Sequence, residues 1–300
     1  MSLGLYIKAT RPQFLTASVL PVILGSVLGA KTAGQMDYLV FALSFVAMLL
    51  LHAAANVIND VADHDNGADL ANEGRLYPFT GGSRMIQNGS LQRDQMARYG
   101  LVLLGLSVLP GAALAYLAGW PVIALGVAGM IFAWAYSFEP LKLASRGLGE
   151  LSVGLTFGLL PVVACVWLQS GQVTDGAWLL GATVSIWIAC VLLINAVPDA
   201  LSDAVTSKRT LCVRLGLKGT RWVYLVLQLC ASGSLFVYAV MGLIPIEAAF
   251  AAILLGGAAY WVFQGMQQMG LDKEIARFVI KLNLAIHSLG CILLTLGVLF

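Results

Sequence analysis

The sequence predicts an all-α integral membrane protein of about nine transmembrane helices, and three observations carry that prediction. Of 300 residues, 59% are hydrophobic and 11% charged, with mean hydropathy +0.87, whereas a soluble domain carries roughly 25% charged residues. Nine continuous apolar runs approach the about 20 residues that a helix needs to cross the hydrocarbon core. The basic residues gather on one side of those runs. A membrane barrel is excluded, because the runs lack the period-two alternation of its strands.

The runs lie at about 12–31, 38–58, 97–118, 120–137, 148–169, 176–198, 220–241, 245–267 and 278–299. The first is flanked by Lys8 and Arg11, has no small-residue cleavage site and is followed by further spans, so it reads as a retained helix and not a signal peptide. The second ends in an acidic stretch with Asp60, Asp63, Asp65, Asp69 and Glu73, and the connection after the fourth carries Lys142 and Arg146. Glu150 opens the fifth, Asp199 and Asp203 follow the sixth, and the ninth finishes at Phe300. Residues 1–300 are expected to form a single transmembrane domain, with halves at about 12–137 and 148–267 and the ninth helix added. Cys165, Cys190, Cys212, Cys230 and Cys291 are scattered without metal or redox spacing and read as small buried side chains.

Sixteen of the seventeen Lys and Arg residues fall before the first span or at the connections after spans two, four, six and eight; only Lys31 lies on the other side. By the positive-inside rule that face is cytoplasmic, with the N-terminus inside and Phe300 outside. A net charge of +2 with no basic patch or tail gives no reason to invoke nucleic acid.

The same face carries two related acidic motifs. Asn56-Val-Ile-Asn-Asp60-Val-Ala-Asp63 and Asn195-Ala-Val-Pro-Asp199-Ala-Leu-Ser-Asp203 both read Asn, three residues, Asp, then a further Asp three or four later. On a helix those positions share one face, so each motif projects its oxygens in one direction. Paired carboxylate and amide oxygens suit Mg²⁺, which prefers hard ligands and bridges to phosphate, whereas zinc would want Cys or His. Isolated loop carboxylates are usually solvated or cap helices. Two copies at the same ends of two spans, where unpaired charge is expensive, favour the functional reading.

Basic partners for a diphosphate lie nearby: Lys208 and Arg209 after the second motif, Lys142 and Arg146 after span four, and Arg75 and Arg84 in the first loop. Each also satisfies the positive-inside rule. The glycines of Pro78-Phe79-Thr80-Gly81-Gly82-Ser83-Arg84 are candidates for an anion-binding backbone nest or for an ordinary turn.

The paired motifs resemble those of the UbiA superfamily of intramembrane prenyltransferases, here Asn59-Asp60-Val-Ala-Asp63 and Asp199-Ala-Leu-Ser-Asp203, and the likeness covers nearly the whole chain. Within it the chain is most similar to the 1,4-dihydroxy-2-naphthoate polyprenyltransferases of menaquinone synthesis. Asn66-Gly67-Ala68-Asp69 sets the last Asp at that branch's spacing. Pro140-Leu-Lys142-Leu-Ala-Ser-Arg146-Gly-Leu-Gly149-Glu150 resembles its PxKLxxRGLGE segment, and Lys208-Arg209-Thr210-Leu211-Cys-Val-Arg214-Leu-Gly216 its KxTLxVRLG tail. His64, Asp65, Leu141, Ser145 and the PFTGGSRMIQNG stretch depart from or add to the pattern.

The resemblance implies a UbiA-type bundle around a central cavity in a bacterial cytoplasmic (inner) membrane. Its donor would be a polyprenyl diphosphate and its acceptor an aromatic acid, with decarboxylation yielding demethylmenaquinone. It implies Mg²⁺ held by Asp60, Asp63, Asp199 and Asp203. Asn56, Asn195, Arg146, Arg75 and Arg84 would meet the diphosphate, Lys142 and Lys208 would neutralise it, and Asn59, Asp69, Tyr136 and Glu150 would assist. Tyr136, with Trp134 and Phe138, suits either cation stabilisation or an interfacial belt, and Glu150 either the acceptor site or an ordinary helix-start acid. His52 and His287 read as packed or cavity-lining, and His64 as close enough to touch a phosphate; none is assigned as a base. Another acceptor such as 4-hydroxybenzoate is the nearest alternative. An ion-coupled transporter would place its acids near mid-membrane in broken helices, and a phosphatidyl-alcohol transferase would show a DGxxAR-type motif, which is missing.

Overall fold

The computed structural model describes residues 3–72, 75–206 and 208–300; Glu73, one of the acids after the second span, lies outside them. Among the described residues nine helices are long and apolar enough to cross a membrane. They are α1 (Pro12–Ala33), α2 (Tyr38–Asp65), α3 (Arg93–Ala118), α4 (Trp120–Ser137), α5 (Gly149–Ser170), α6 (Asp175–Ala204), α7 (Leu211–Val240), α8 (Ile246–Gln268) and α9 (Lys273–Leu299). The chain is thus a multi-pass helical membrane protein.

Local chemistry starts several of these helices. Asp37 accepts from the amides of Leu39 and Val40 ahead of α2, Thr174 from Ala177 ahead of α6, Thr210 from Val213 ahead of α7, and Asp272 from Glu274 and Ile275 ahead of α9. Each satisfies amides that would otherwise lack an intrahelical partner. The apolar runs underestimate the helices at one end of the bundle. There α2 continues from 58 to Asp65 and α6 from 198 to Ala204, while α3, α7 and α9 begin before their apolar runs. The acidic motifs therefore stand on helix rather than in loop. α7 is interrupted near its start at Gly216, whose φ of 64° and ψ of 171° suit glycine and not an L side chain.

Two small-residue seams set the tightest packing. A Cβ at Gly25 of α1 would lie 2.5 Å from the Val162 carbonyl of α5, and one at Gly29 would lie 2.9 Å from Val166 Cα. On α5, a Cβ at Gly158 would come within 2.6 Å of Ser185 Cα of α6. Close backbone approach of this kind replaces the hydrophobic drive that lipid cannot supply. The second seam's Gly158 lies in a π-helical turn of α5, Leu155–Leu159, ahead of Pro161, which lacks the N–H that a regular turn would offer to the Phe157 carbonyl.

The main apolar core joins α1 and α5–α9 around Trp187, Tyr224, Leu24 and Leu180. A smaller one joins α2 to α3 through Ala54, Val57, Val61 and Met96. α4 packs chiefly on α3 and has little contact with α5, and Leu101, Leu109, Tyr116, Trp120 and Ile131 on these outer helices are exposed, as lipid-facing residues are. The space enclosed by α1, α2, α4, α5 and α6 is the cavity that holds the site.

Gly158→Ala is expected to lower stability by about 1–3 kcal/mol through overpacking. Gly105→Ala, which meets open space, should raise it by up to about 1 kcal/mol through helix propensity. Thermal unfolding of the purified protein in detergent reads both, and equal responses would contradict the seam.

Candidate active site

Four motif carboxylates reach the cavity end of the bundle, each with a different partner. Asp60 on α2 is almost fully buried. It is ion-paired with the guanidinium of Arg11 and accepts from the Ser83 amide at 2.9 Å. Asp63, one turn on, accepts from Lys208 Nζ at 3.1 Å and from Asn66 Nδ2 at 3.3 Å. On α6, Asp199 accepts from Asn72 Nδ2 at 2.6 Å and from the Gly81 amide at 3.1 Å. Asp203 lies 3.7 Å from Lys208 Nζ. One ammonium therefore bridges the two motifs. Burial alone would ease the proton off Lys208, but the Asp63 and Asp203 carboxylates outweigh it and hold the ammonium charged beyond the usual lysine range.

The first loop ties the same two helices together. Gly81 donates its amide to Asp199 of α6, and Ser83 donates its amide to Asp60 of α2. Gly81 and Gly82 both have positive φ, at 67° and 69°. A Cβ at Gly82 would sit 2.8 Å from Asp69 Oδ2 and 3.1 Å from Asp60 Oδ1. The glycines thus bring backbone amides against carboxylates. Of the two readings open for these glycines, nest or turn, the structure shows a strap whose amides meet the two acidic helix ends. Asp69, on the one-turn helix Ala68–Ala71, accepts from Gln87 Nε2 at 3.1 Å. Burial, and then the adjacent Asp63 carboxylate, push its carboxyl up to about 6.

Beneath this layer lies a cavity of about 220 Å³. Its mouth is lined by Asp63, Asp69, Asp199, Asp203, Lys208, Arg11 and Asn72, and its next tier by Asn56, Asn59, Asn195, Tyr136 and Glu150. Deeper, Leu51, Phe132, Val153, Phe157 and Ile188 make the wall apolar. Asn56 Nδ2 donates to the Thr10 carbonyl at 2.9 Å and Asn59 Nδ2 to Ser137 Oγ at 3.3 Å. Asn195 Oδ1 is buried without a hydrogen-bond partner.

The other expected basic groups are not brought to the cavity. Lys142, in a left-handed backbone conformation, pairs with exposed Glu139 at 2.9 Å, and Arg146 donates to the Pro140 carbonyl at 2.7 Å. Both turn back on their own loop because partners lie within a few residues. Arg75 lies over the Tyr77 ring at 5.4 Å, its basicity lowered by burial and by Arg84. Arg84 donates to the Asn72 carbonyl at 2.8 Å. Asp60 borders the cavity lining without joining it, its oxygens engaged by Arg11 and Ser83. Arg11 and Asn72 are the groups that sequence reasoning missed. Each meets its carboxylate across a long sequence separation, and no spacing signals it.

Among the described residues no three His, Cys, Asp or Glu side chains converge as a ready-made metal site, and the Lys208 ammonium occupies the gap between Asp63 and Asp203. The donor set nevertheless fits a hard cation. Carboxylates and carboxamides line the mouth, and the orphaned Asn195 Oδ1 is a free oxygen donor.

Facing acidic helix ends, a cationic bridge and a largely apolar cavity below them define a site built into a bundle of membrane-spanning helices. The chain belongs to the UbiA prenyltransferase family, whose model matches residues 18–287, and is a prenyltransferase. It is 27% identical to the 1,4-dihydroxy-2-naphthoate octaprenyltransferase of Bacillus subtilis over 85% of this chain and 76% of that protein. It is 28% identical to the protein of the same name from Escherichia coli, over 91% and 90% of the two chains. A UbiA homologue from Archaeoglobus fulgidus, solved bound to DMAPP and Mg²⁺, superposes with a TM-score of 0.61 at 17% identity, covering 94% of this chain and 99% of that one; this likeness shows the fold.

Asp60→Asn strands the Arg11 guanidinium and is expected to cost about 3 kcal/mol. The double variant Arg11→Met with Asp60→Asn should lose less than the sum of the Arg11→Met and Asp60→Asn losses. Unfolding of the three in detergent checks this, and additive losses would mean that the pair is not coupled.

Proposed function

We propose that the enzyme transfers a polyprenyl group from an isoprenyl diphosphate to 1,4-dihydroxy-2-naphthoate, with loss of the ring carboxylate, giving demethylmenaquinone. The observation that carries this reading is the mouth itself, where Lys208 stands between Asp63 and Asp203 above an apolar cavity. The names of the Bacillus subtilis and Escherichia coli relatives favour the naphthoate.

Asp63, Asp199 and Asp203, with Asn56 and Asn195 and with Asp60 and Asp69 beside them, are the residues that would hold Mg²⁺. When bound, it supplies positive charge that stabilises the departing diphosphate. Lys208 and Arg11 are the cations of this chain that line the cavity and would neutralise the same anion. The apolar tier beneath, with Phe132 and Phe157, excludes water that would otherwise capture an allylic cation, and the Tyr136 ring offers that cation a π face. In this reading residues 1–300 act as one transmembrane domain built on two related halves. The membrane in this reading is a bacterial inner membrane, and the positive-inside distribution favours a mouth and N-terminus on its cytoplasmic side.

The test is the purified enzyme with polyprenyl diphosphate, Mg²⁺ and a panel of aromatic acids, read as prenylated product and released carbon dioxide. Dihydroxynaphthoate should be consumed with stoichiometric carbon dioxide. Preference for 4-hydroxybenzoate, or product without carbon dioxide, would overturn the acceptor. Lys208→Met is expected to lower kcat about 10²–10³-fold, and Asp63→Ala and Asp199→Ala to abolish turnover. Wild-type rates in all three would remove the proposed diphosphate site.

A further inference from the structure

His52 is the deep polar feature of the cavity that the diphosphate chemistry does not use. It sits one helical turn below Asn56 on α2, about 6 Å deeper, and two turns or about 12 Å below Asp60. It lines the cavity amid Leu51, Ala55, Val153, Phe157 and Ile188.

Its ring is held on two sides. Nδ1 lies 2.8 Å from Ser18 Oγ on α1, and the Phe157 ring packs on it with centroids 4.5 Å apart. Phe157 belongs to the π-helical turn Leu155–Leu159 of α5, so three helices fix one imidazole. The Ser18 hydroxyl donates its single hydrogen to the Leu15 carbonyl at 3.0 Å. In that arrangement Ser18 Oγ accepts from His52, and the imidazole carries its hydrogen on Nδ1. In the neutral ring Nε2 is then a lone-pair nitrogen. Among the described residues it has no hydrogen-bond partner, and it is not among the sealed, unpartnered polar atoms of the interior. The cavity that His52 lines is the open space beside the ring.

A saturated or isoprenoid chain packed there would leave Nε2 without a donor. A hydroxyl on an aromatic ring supplies that donor while its ring meets the apolar wall. We infer that His52 binds the aromatic acceptor by accepting a hydrogen bond from a ring hydroxyl at Nε2, with Ser18 and Phe157 as positioning residues that set the tautomer and the ring plane. This rests on the aromatic-acceptor reading above and adds to it the residue that selects a hydroxylated ring.

Two isosteric variants separate this role from a structural one. Asn at position 52 keeps a donor for Ser18 but does not reach the cavity, whereas Gln places a polar atom near Nε2. With donor saturating and dihydroxynaphthoate varied, His52→Asn should raise acceptor KM roughly tenfold, the effect of one lost hydrogen bond, with donor KM and Tm unchanged. His52→Gln should stay within about threefold of wild type, and Ser18→Ala should show a smaller rise in the same parameter. An unchanged acceptor KM in His52→Asn, or a wild-type-like Asn variant beside an impaired Gln variant, overturns the inference. Failure of the naphthoate reading shows separately, as a wild-type enzyme that prenylates a different hydroxylated aromatic. The His52→Asn effect is then expected for that acceptor, and its absence there overturns the inference equally.

Discussion

Carboxylates at the ends of apolar helices have to be met by cations or amides, and the mouth of the bundle is organised by that requirement. A buried charge left alone costs several kcal/mol. Asp60 is met by Arg11 from the start of α1 and by a backbone amide, Asp199 by Asn72 and another amide, and Asp63 and Asp203 by one shared lysine. These contacts connect α1, α2, α6, the first loop and the segment before α7, which are remote in sequence. The neutralisation that lets the carboxylates be buried is also what assembles the site.

A second consequence follows for chemistry. Carboxylates, lysine and arginine are confined to the mouth and its first tier, while the volume below is walled mainly by aliphatic and aromatic side chains, with His52, Ser152 and Thr156 among them. In the proposed reaction electrostatic interactions are strong where the diphosphate would ionise, and a largely apolar wall is what would keep nucleophilic water from a carbocation. The small-residue seams of α1 and α5 draw the backbones of α1, α5 and α6 into close contact on that side of the cavity.

Much of this was legible in one dimension. A continuous apolar run is sufficient to place a span, and all nine runs correspond to helices. Their ends at the mouth were misjudged by up to nine residues, because polar residues there stay helical through tertiary pairing that hydropathy does not register. The repeated Asn-and-Asp pattern points to Asp60, Asp63, Asp199 and Asp203 with the nearby Lys208; all but Asp60, which Arg11 and Ser83 engage, line one cavity. Lys142 and Arg146 look the same in sequence as Lys208. What separates them is whether a nearer partner exists, and Glu139 and the Pro140 carbonyl provide one. Arg11 and Asn72 could not be found by spacing, since they meet their carboxylates 49 and 127 residues away. The glycine-rich loop offers its amides in sequence to either an anion nest or a plain turn, and in the structure those of Gly81 and Ser83 meet the Asp199 and Asp60 carboxylates.

The uneven packing of α4 has a mechanical meaning. On one side of the cavity the glycine seams lock α1, α5 and α6 backbone to backbone, while on the other α4 leans on α3 and barely touches α5. Stiffness is therefore distributed asymmetrically around the chamber. A ligand bulkier than the resting volume would meet unyielding backbone on one wall and a compliant one on the other, and the strain of admitting a long hydrocarbon would be taken up by α4 moving against lipid while the charged mouth stays in register.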